Sequence, residues 1–215
     1  MPSLNRYNRT FMTQSTVPRV ENRWVCIATN AQVAFAAIVS SYVQEAGVYL
    51  PVFEFPRIDV PYLPSSDFEE DGYLGRIMGD RAAHEINNCL ARIQPDSILL
   101  LGMSETEKSY LRVLLPPKKL IEINTLEELP ARIPFASPAG DPVRCKSSQL
   151  IEGLLLAKFS QRPLLVDESA APLPENHLHG GEGILLIEND RDIHDVAAIN
   201  YACALNADVV LVLRN

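Results

Sequence analysis

The chain has 215 residues, 47% of them hydrophobic and 21% charged, with a formal net charge of −8. That length accommodates one large α/β domain or two small ones around a sizeable core. An acidic balance with an isoelectric point near 5.0 lacks the basic footprint that nucleic acid or an anionic membrane surface requires, and no apolar run approaches the roughly 18 residues of a membrane span.

Residues 1–22 carry Arg6, Arg9 and Arg19 among Asn, Ser and Thr, with no apolar stretch of the kind a secretory signal needs. This reads as a polar N-terminal arm. The four cysteines, Cys26, Cys89, Cys145 and Cys203, form no C-x-x-C pair, so neither a zinc knuckle nor a redox motif is indicated. Cys26 and Cys203 sit in apolar runs as small core residues, and free thiols fit a reducing cytoplasm.

After the arm, 23–29 reads as a first strand, and Asn30 as the N-cap of a helix over 31–46 that Gly47 stops. A second strand over 48–55 contains Pro51, which places it at an edge or a bulge. Residues 56–71 hold three prolines and five carboxylates, a long surface loop suited to a lid or a partner surface. The longest helix follows over 73–93, with Ile77, Ala82, Ile86, Leu90 and Ile93 as its apolar stripe. Its His84-Glu85 pair is no zinc-protease motif, because the second histidine would fall at Asn88.

Ser97-Ile98-Leu99-Leu100-Leu101 is a third strand, and Ser104 with Glu107 three residues on makes a capping box for a short helix. Strand 118–124, a helical turn at 125–130 and a short strand at 133–136 come next. The run Ser137-Pro138-Ala139-Gly140-Asp141-Pro142 marks the best internal boundary, dividing the chain into units 23–136 and 137–215. The second unit reads as helix 146–160, strand 163–166, a Pro- and Gly-rich loop 168–183, strand 184–187, helix 192–205 and strand 208–213. Short apolar runs without alternation are the mark of strands buried on both faces of a parallel sheet. The expected fold is therefore a three-layer, mostly parallel α/β sheet of Rossmann or flavodoxin type, its strands in one sheet.

Two further patterns concern organisation. Ala36-Ala37-Ile38 with Val48-Tyr49-Leu50 ten residues on matches Ala197-Ala198-Ile199 with Val209-Val210-Leu211, a partial β-α-β repeat or two similar crossover helices. An apolar final strand that ends two residues before Asn215 is expected to leave sheet surface uncovered, or covered by a partner or a missing C-terminal region.

In open parallel sheets ligands sit beyond the carboxyl ends of the strands, where loops and helix N-termini converge. Asn30 and Ser104 lie at two such ends. Arg144, Lys146, Ser147 and Ser148, at the start of a helix, offer cations and amides to an anion. Gly140-x-x-x-x-Cys145-Lys146-Ser147 is one residue from the phosphate-cradling G-x-x-x-x-G-K-[ST] pattern, but the Cβ of Cys145 resists the curl that pattern needs. Asp167, Glu168 and Glu188 end two strands and supply the oxygen ligands Mg²⁺ prefers. His177 and His179 beside Glu175 and Glu182 are half of a metal set. The preferred functional expectation is a cytoplasmic binding or regulatory module of a larger protein, recognising a small anionic, nucleotide- or phosphate-like ligand. A Mg²⁺-dependent hydrolase built on Asp167, Glu168 and Glu188, or a scaffold docking a protein through 56–71, are the alternatives.

Overall fold

A computed structural model describes residues 24–44, 48–62, 73–115, 119–133, 140–173 and 184–212. Eight strands and six helices occur among them: β1 (Trp24–Ala28), α1 (Val33–Ser41), β2 (Val52–Glu54), α2 (Tyr73–Ile93), β3 (Ser97–Leu101), α3 (Glu105–Leu114), β4 (Lys119–Ile123), α4 (Leu129–Arg132), β5 (Val143–Cys145), α5 (Leu150–Phe159), β6 (Leu164–Val166), β7 (Ile184–Glu188), α6 (Ile193–Ala204) and β8 (Asp208–Val212). The arm 1–22, most of the acidic loop and the 134–136 part of the strand expected at 133–136 lie outside the described residues.

The fold is α/β and every strand pairing is parallel. The strands do not share one sheet, however. They form a four-stranded sheet in the order β2-β1-β3-β4 and two separate ribbons, β5-β6 and β7-β8. Trp24 lies opposite Ser97 and Ile27 opposite Leu100. At the edge, Pro51 lends its carbonyl to Cys26 N and Phe55 N reaches Ala28 O, so β2 occupies the edge position that proline tolerates. β5 was not expected: three residues between Pro142 and Lys146 are too few for a pattern, and only pairing with β6 defines the strand.

Alternation along β1 and β3 divides the core in two. Cys26, Ala28, Leu99 and Leu101 face one cluster with α1, α5, α6 and the inner sides of both ribbons. Val25, Ile27, Ile98 and Leu100 face the other, with α2 and α3. The four-stranded sheet thus carries helices on both faces. Each fully buried Leu or Ile stabilises by about 1.5–3 kcal/mol. α1 and α5 are apolar on nearly every side, and most of their residues are buried, as helices within a core must be. Polar ties fasten the β5-β6 ribbon and α6 to this layer: Ser41 Oγ accepts from Leu164 N at 2.9 Å, and Asn200 Nδ2 donates to Ser40 Oγ and Leu50 O at 2.9 and 3.1 Å.

α2 turns most of the expected stripe inward, with Ile86 and Leu90 buried and Ala82 and Ile93 packed against the core. Gly79 and Ala83 are buried as well, whereas Ile77 is 44% exposed. Gly79 sets the phase by close approach. A Cβ there would lie 2.4 Å from Ile58 Cδ1 and 2.9 Å from Tyr110 Cε1. Of the partial repeat, β7-α6-β8 keeps its final strand where the pattern puts it, but the first copy has its strand later, at Val52–Glu54. No helix among the described residues is long and apolar enough to cross a membrane.

Candidate functional site

The order β2-β1-β3-β4 reverses direction between β1 and β3. The chain leaves β1 for α1 on one face and leaves β3 for α3 on the other. That divergence opens a crevice at the strands' carboxyl ends. Beside β3 it is closed from within: Gly102, at φ +55°, packs so tightly on Gln32 that a Cβ would lie 2.8 Å from Gln32 Cδ. Ser104 is occupied as well. Its Oγ accepts from Glu107 N at 3.2 Å, and Glu107 Oε2 accepts from Ser104 N at 2.7 Å, the capping box expected from the sequence.

Asn30 is not the expected N-cap. Thr29 takes that extended position, and Asn30 starts a 3₁₀ turn running to Gln32. Its side chain is therefore free to reach across. Nδ2 donates to Glu54 Oε1 at 2.7 Å, and Oδ1 accepts from Ile193 N, the first helical amide of α6, at 3.1 Å. Glu54 turns its other oxygen, Oε2, to His194 Nε2 at 3.1 Å. A relay of amide, Asn30, Glu54 and His194 joins the ends of β1 and β2 to the start of α6. Asp192 anchors that start, accepting from His194 N and Asp195 N at 2.9 and 3.1 Å.

Next to the relay is a cleft of about 440 Å³ between α2 and the edge strand β2, lined by Phe53, Glu54, Glu85, Ile86, Cys89 and His194 among others. Glu85 is held by Arg81 Nε at 2.9 Å one helical turn away. The walls are apolar apart from two carboxylates, an imidazole and a thiol, the make-up of a small-molecule site.

Sequence reasoning missed Glu54, His194 and Cys89. Glu54 ends a strand and belongs with the other strand-end residues by the same rule that selected Asn30. His194 carries no local signal, since its partner is 140 positions earlier in the chain.

The residues expected to bind an anion lie elsewhere, at the end of β5. Arg144 Nη1 meets Asp167 Oδ2 at 3.1 Å, and Ser147 N donates to Glu168 Oε1 at 3.0 Å. The chain's own carboxylates thus hold the cation and the amide that were assigned to a ligand. Bonds from Ser169, with Arg144 adding to them, keep the Asp167 carboxyl below its usual range, and bonds from Ser147 do the same for Glu168. Lys146 precedes the 3₁₀ turn Ser147–Gln149, and Ser147 and Ser148 are exposed on it. Cys145 packs on Gly153, where a Cβ would lie 2.5 Å from its Sγ. Burial and the nearby Glu152 and Glu168 push this thiol up to about 11, so it remains a neutral core residue.

Of the metal candidates, Asp167 and Glu168 are committed as described. Glu188 ends β7, in a different sheet from β6, and its side chain lies outside the described residues. So do His177, His179, Glu175 and Glu182. Among the described residues no three His, Cys, Asp or Glu gather to hold a metal ion.

Comparison of the chain with protein-family models, with curated proteins and with solved structures gave no significant match.

Proposed function

We propose that the chain is a small-ligand-binding α/β module of flavodoxin- or Rossmann-like organisation, with its ligand in the cleft beside β2 and His194 as the contacting group. The sheet order β2-β1-β3-β4 supports that classification, because it follows the 2-1-3-4 order of flavodoxin-like sheets, whose ligands sit at the same strand ends. The observation that carries the functional reading is the Asn30–Glu54–His194 relay. Glu54 Oε1 accepts from Asn30 while Oε2 lies 3.1 Å from His194 Nε2, so the imidazole is turned with Nε2 toward Glu54 and its Nδ1 side toward a ligand. Orientation in advance lowers the entropic cost of binding.

The cleft favours a different ligand class from the anion expected at 144–148. Glu54 and Glu85 set a negative tone, and apolar walls make an unmatched anion costly there. A small molecule presenting an amine or hydroxyl donor beside an apolar body is the better fit. The test is a panel of primary-amine fragments, with phosphate and sulfate as the anionic arm, followed by NMR of ring-labelled histidine. Amine fragments should shift the His194 signals, and Glu54→Gln should weaken that binding by roughly tenfold or more, the worth of a hydrogen bond to a charged group. Amines that leave His194 unmoved, or phosphate perturbing the 144–148 amides, would overturn the assignment.

A further inference from the structure

Lys158, near the end of α5, points its amine at the end of α1 rather than at solvent. Nζ donates to the Ser40 carbonyl at 3.3 Å and to the Val43 carbonyl. Two of the nitrogen's positions are thus taken by carbonyls at and just beyond the end of another helix, a common use for a lysine. Among the described residues no carboxylate pairs with it; the ionisable group that acts on it is the Cys203 thiol of α6.

Enclosure costs the ammonium more than these carbonyls return, and Lys158 falls to about 8. At pH 7.4 a lysine with that value is neutral about a fifth of the time, against roughly one part in a thousand for an exposed one. Burial has the opposite effect on Cys203, whose thiol is raised and stays protonated. Of the two nucleophiles, the amine is the active one.

Both groups line a cavity of about 200 Å³ with Val43, Val48, Phe159 and Ala204. The other lining groups, Gln44, Gln161 and Asn206, are uncharged amides. Among the described residues no lining group besides Lys158 carries a formal charge, so nothing beyond the amine itself matches a phosphate or a carboxylate.

We propose that Lys158 is a covalent docking site for a small uncharged aldehyde or ketone, held in this cavity as an imine on Nζ. The lone pair of the neutral amine attacks the carbonyl carbon and forms the C–N bond. The carbonyl oxygen leaves as water, taking both hydrogens of the amine by way of solvent. Amine and carbonyl compound give imine and water, with no oxidant or reductant consumed. Uptake of one solvent proton gives the iminium, which keeps one N–H for the Ser40 or Val43 carbonyl.

The test uses butanal with cyanoborohydride on the intact chain at pH 7.5, with labelling read at each lysine by peptide mass spectrometry. Lys146, part-exposed at the opposite end of α5, is the internal reference. Lys158 should label at least tenfold faster than Lys146, and its rate should saturate with butanal. Ala204→Leu, which fills the cavity and leaves the amine in place, should bring Lys158 down to the reference rate or below. On the unaltered chain 1-butanol, the unreactive analogue, should protect Lys158 and leave Lys146 unchanged; this arm decides the matter should the variant fail to fold. Labelling of Lys158 no faster than Lys146, a rate linear in butanal, or absence of butanol protection would each overturn the proposal.

Discussion

Lys158 and Gly79 show how much one residue can decide and how little of it is written locally. For a base whose folded value is lowered to about 8, the unfolded chain holds the proton and the folded chain does not, between pH 8 and about 10.5. Stability therefore rises with pH through that window. The thiols of Cys26, Cys145 and Cys203 are raised by burial and act in the opposite sense as the unfolded thiols ionise around pH 9. From pH 8 to 9 the lysine contributes a rise of about 1 kcal/mol and the thiols together offset a comparable amount, so the lysine is read as a difference between two chains that share the thiols. In urea melts across that unit the stability of the parent relative to Lys158→Met should rise by about 1 kcal/mol; parallel curves would refute the assignment. Gly79→Ala has two opposed consequences. Helix propensity favours alanine by about 1 kcal/mol, but the new Cβ meets Ile58 and the Tyr110 ring, and such crowding costs about 1–3 kcal/mol. Tyr110 is pinned by its bond to Val60 O at 2.9 Å and cannot withdraw cheaply, so net destabilisation is expected in urea melts. Neither residue was singled out in the sequence. Asn30 was, at the correct strand end but in the wrong role, because its partners Glu54 and Ile193 lie 24 and 163 positions away.

Elements were legible where their signals are local. The Ser104–Glu107 box spans three residues and formed as expected; β1, β3 and β4 are apolar runs long enough to stand out. β5 is not, and its existence depends on β6 some twenty residues later. In α2 only Ile77 departs from the expected stripe, and what an apolar pattern does not announce is the close approach of Gly79 to Ile58 and Tyr110. The least obvious element feature joins α3 to the edge strand β4. Lys108 Nζ lies 3.0 Å from both Glu105 and Glu122, and Arg112 reaches the same two carboxylates. With its side chain only 5% exposed, Lys108 depends on these partners, since an unpaired buried ammonium is costly. Glu122→Ala should destabilise by about 1–2 kcal/mol, less than for a fully enclosed pair because Glu122 is a third exposed. The Arg112 and Lys108 bonds keep Glu122 below its usual value. The stabilisation it brings is present above the unfolded value near 4.5 and lost as pH falls through the lower, folded one. Acid titration of the variant should lack that loss, and an unchanged titration would show the network to be idle.

At the scale of the whole molecule, composition and strand pattern sufficed for an α/β class with parallel pairing, but not for the division into one sheet and two ribbons. Apolar runs record that a strand is buried without recording which strand lies beside it. The β7-β8 ribbon shows the consequence most clearly. Its inner side, with Ile187 and Val209, joins the core shared with α6. On its outer side Ile184, Leu186 and Val212 are 71%, 68% and 46% exposed. The two sides should therefore respond oppositely to substitution. Replacing both Ile184 and Leu186 by threonine keeps a β-favouring residue at the first position and a branched one at the second, and removes apolar surface that folding leaves in water. Stability of this double variant should stay within about 0.5 kcal/mol of the parent, and its binding of a hydrophobic dye should fall. Ile187→Ala, one methylene and two methyls removed from a packed interior, should cost about 2–4 kcal/mol. Urea denaturation of both variants reads the contrast directly. Equal losses would mean that the outer side is covered as well, and an unaffected Ile187→Ala would mean that the ribbon does not pack on α6 as the core places it.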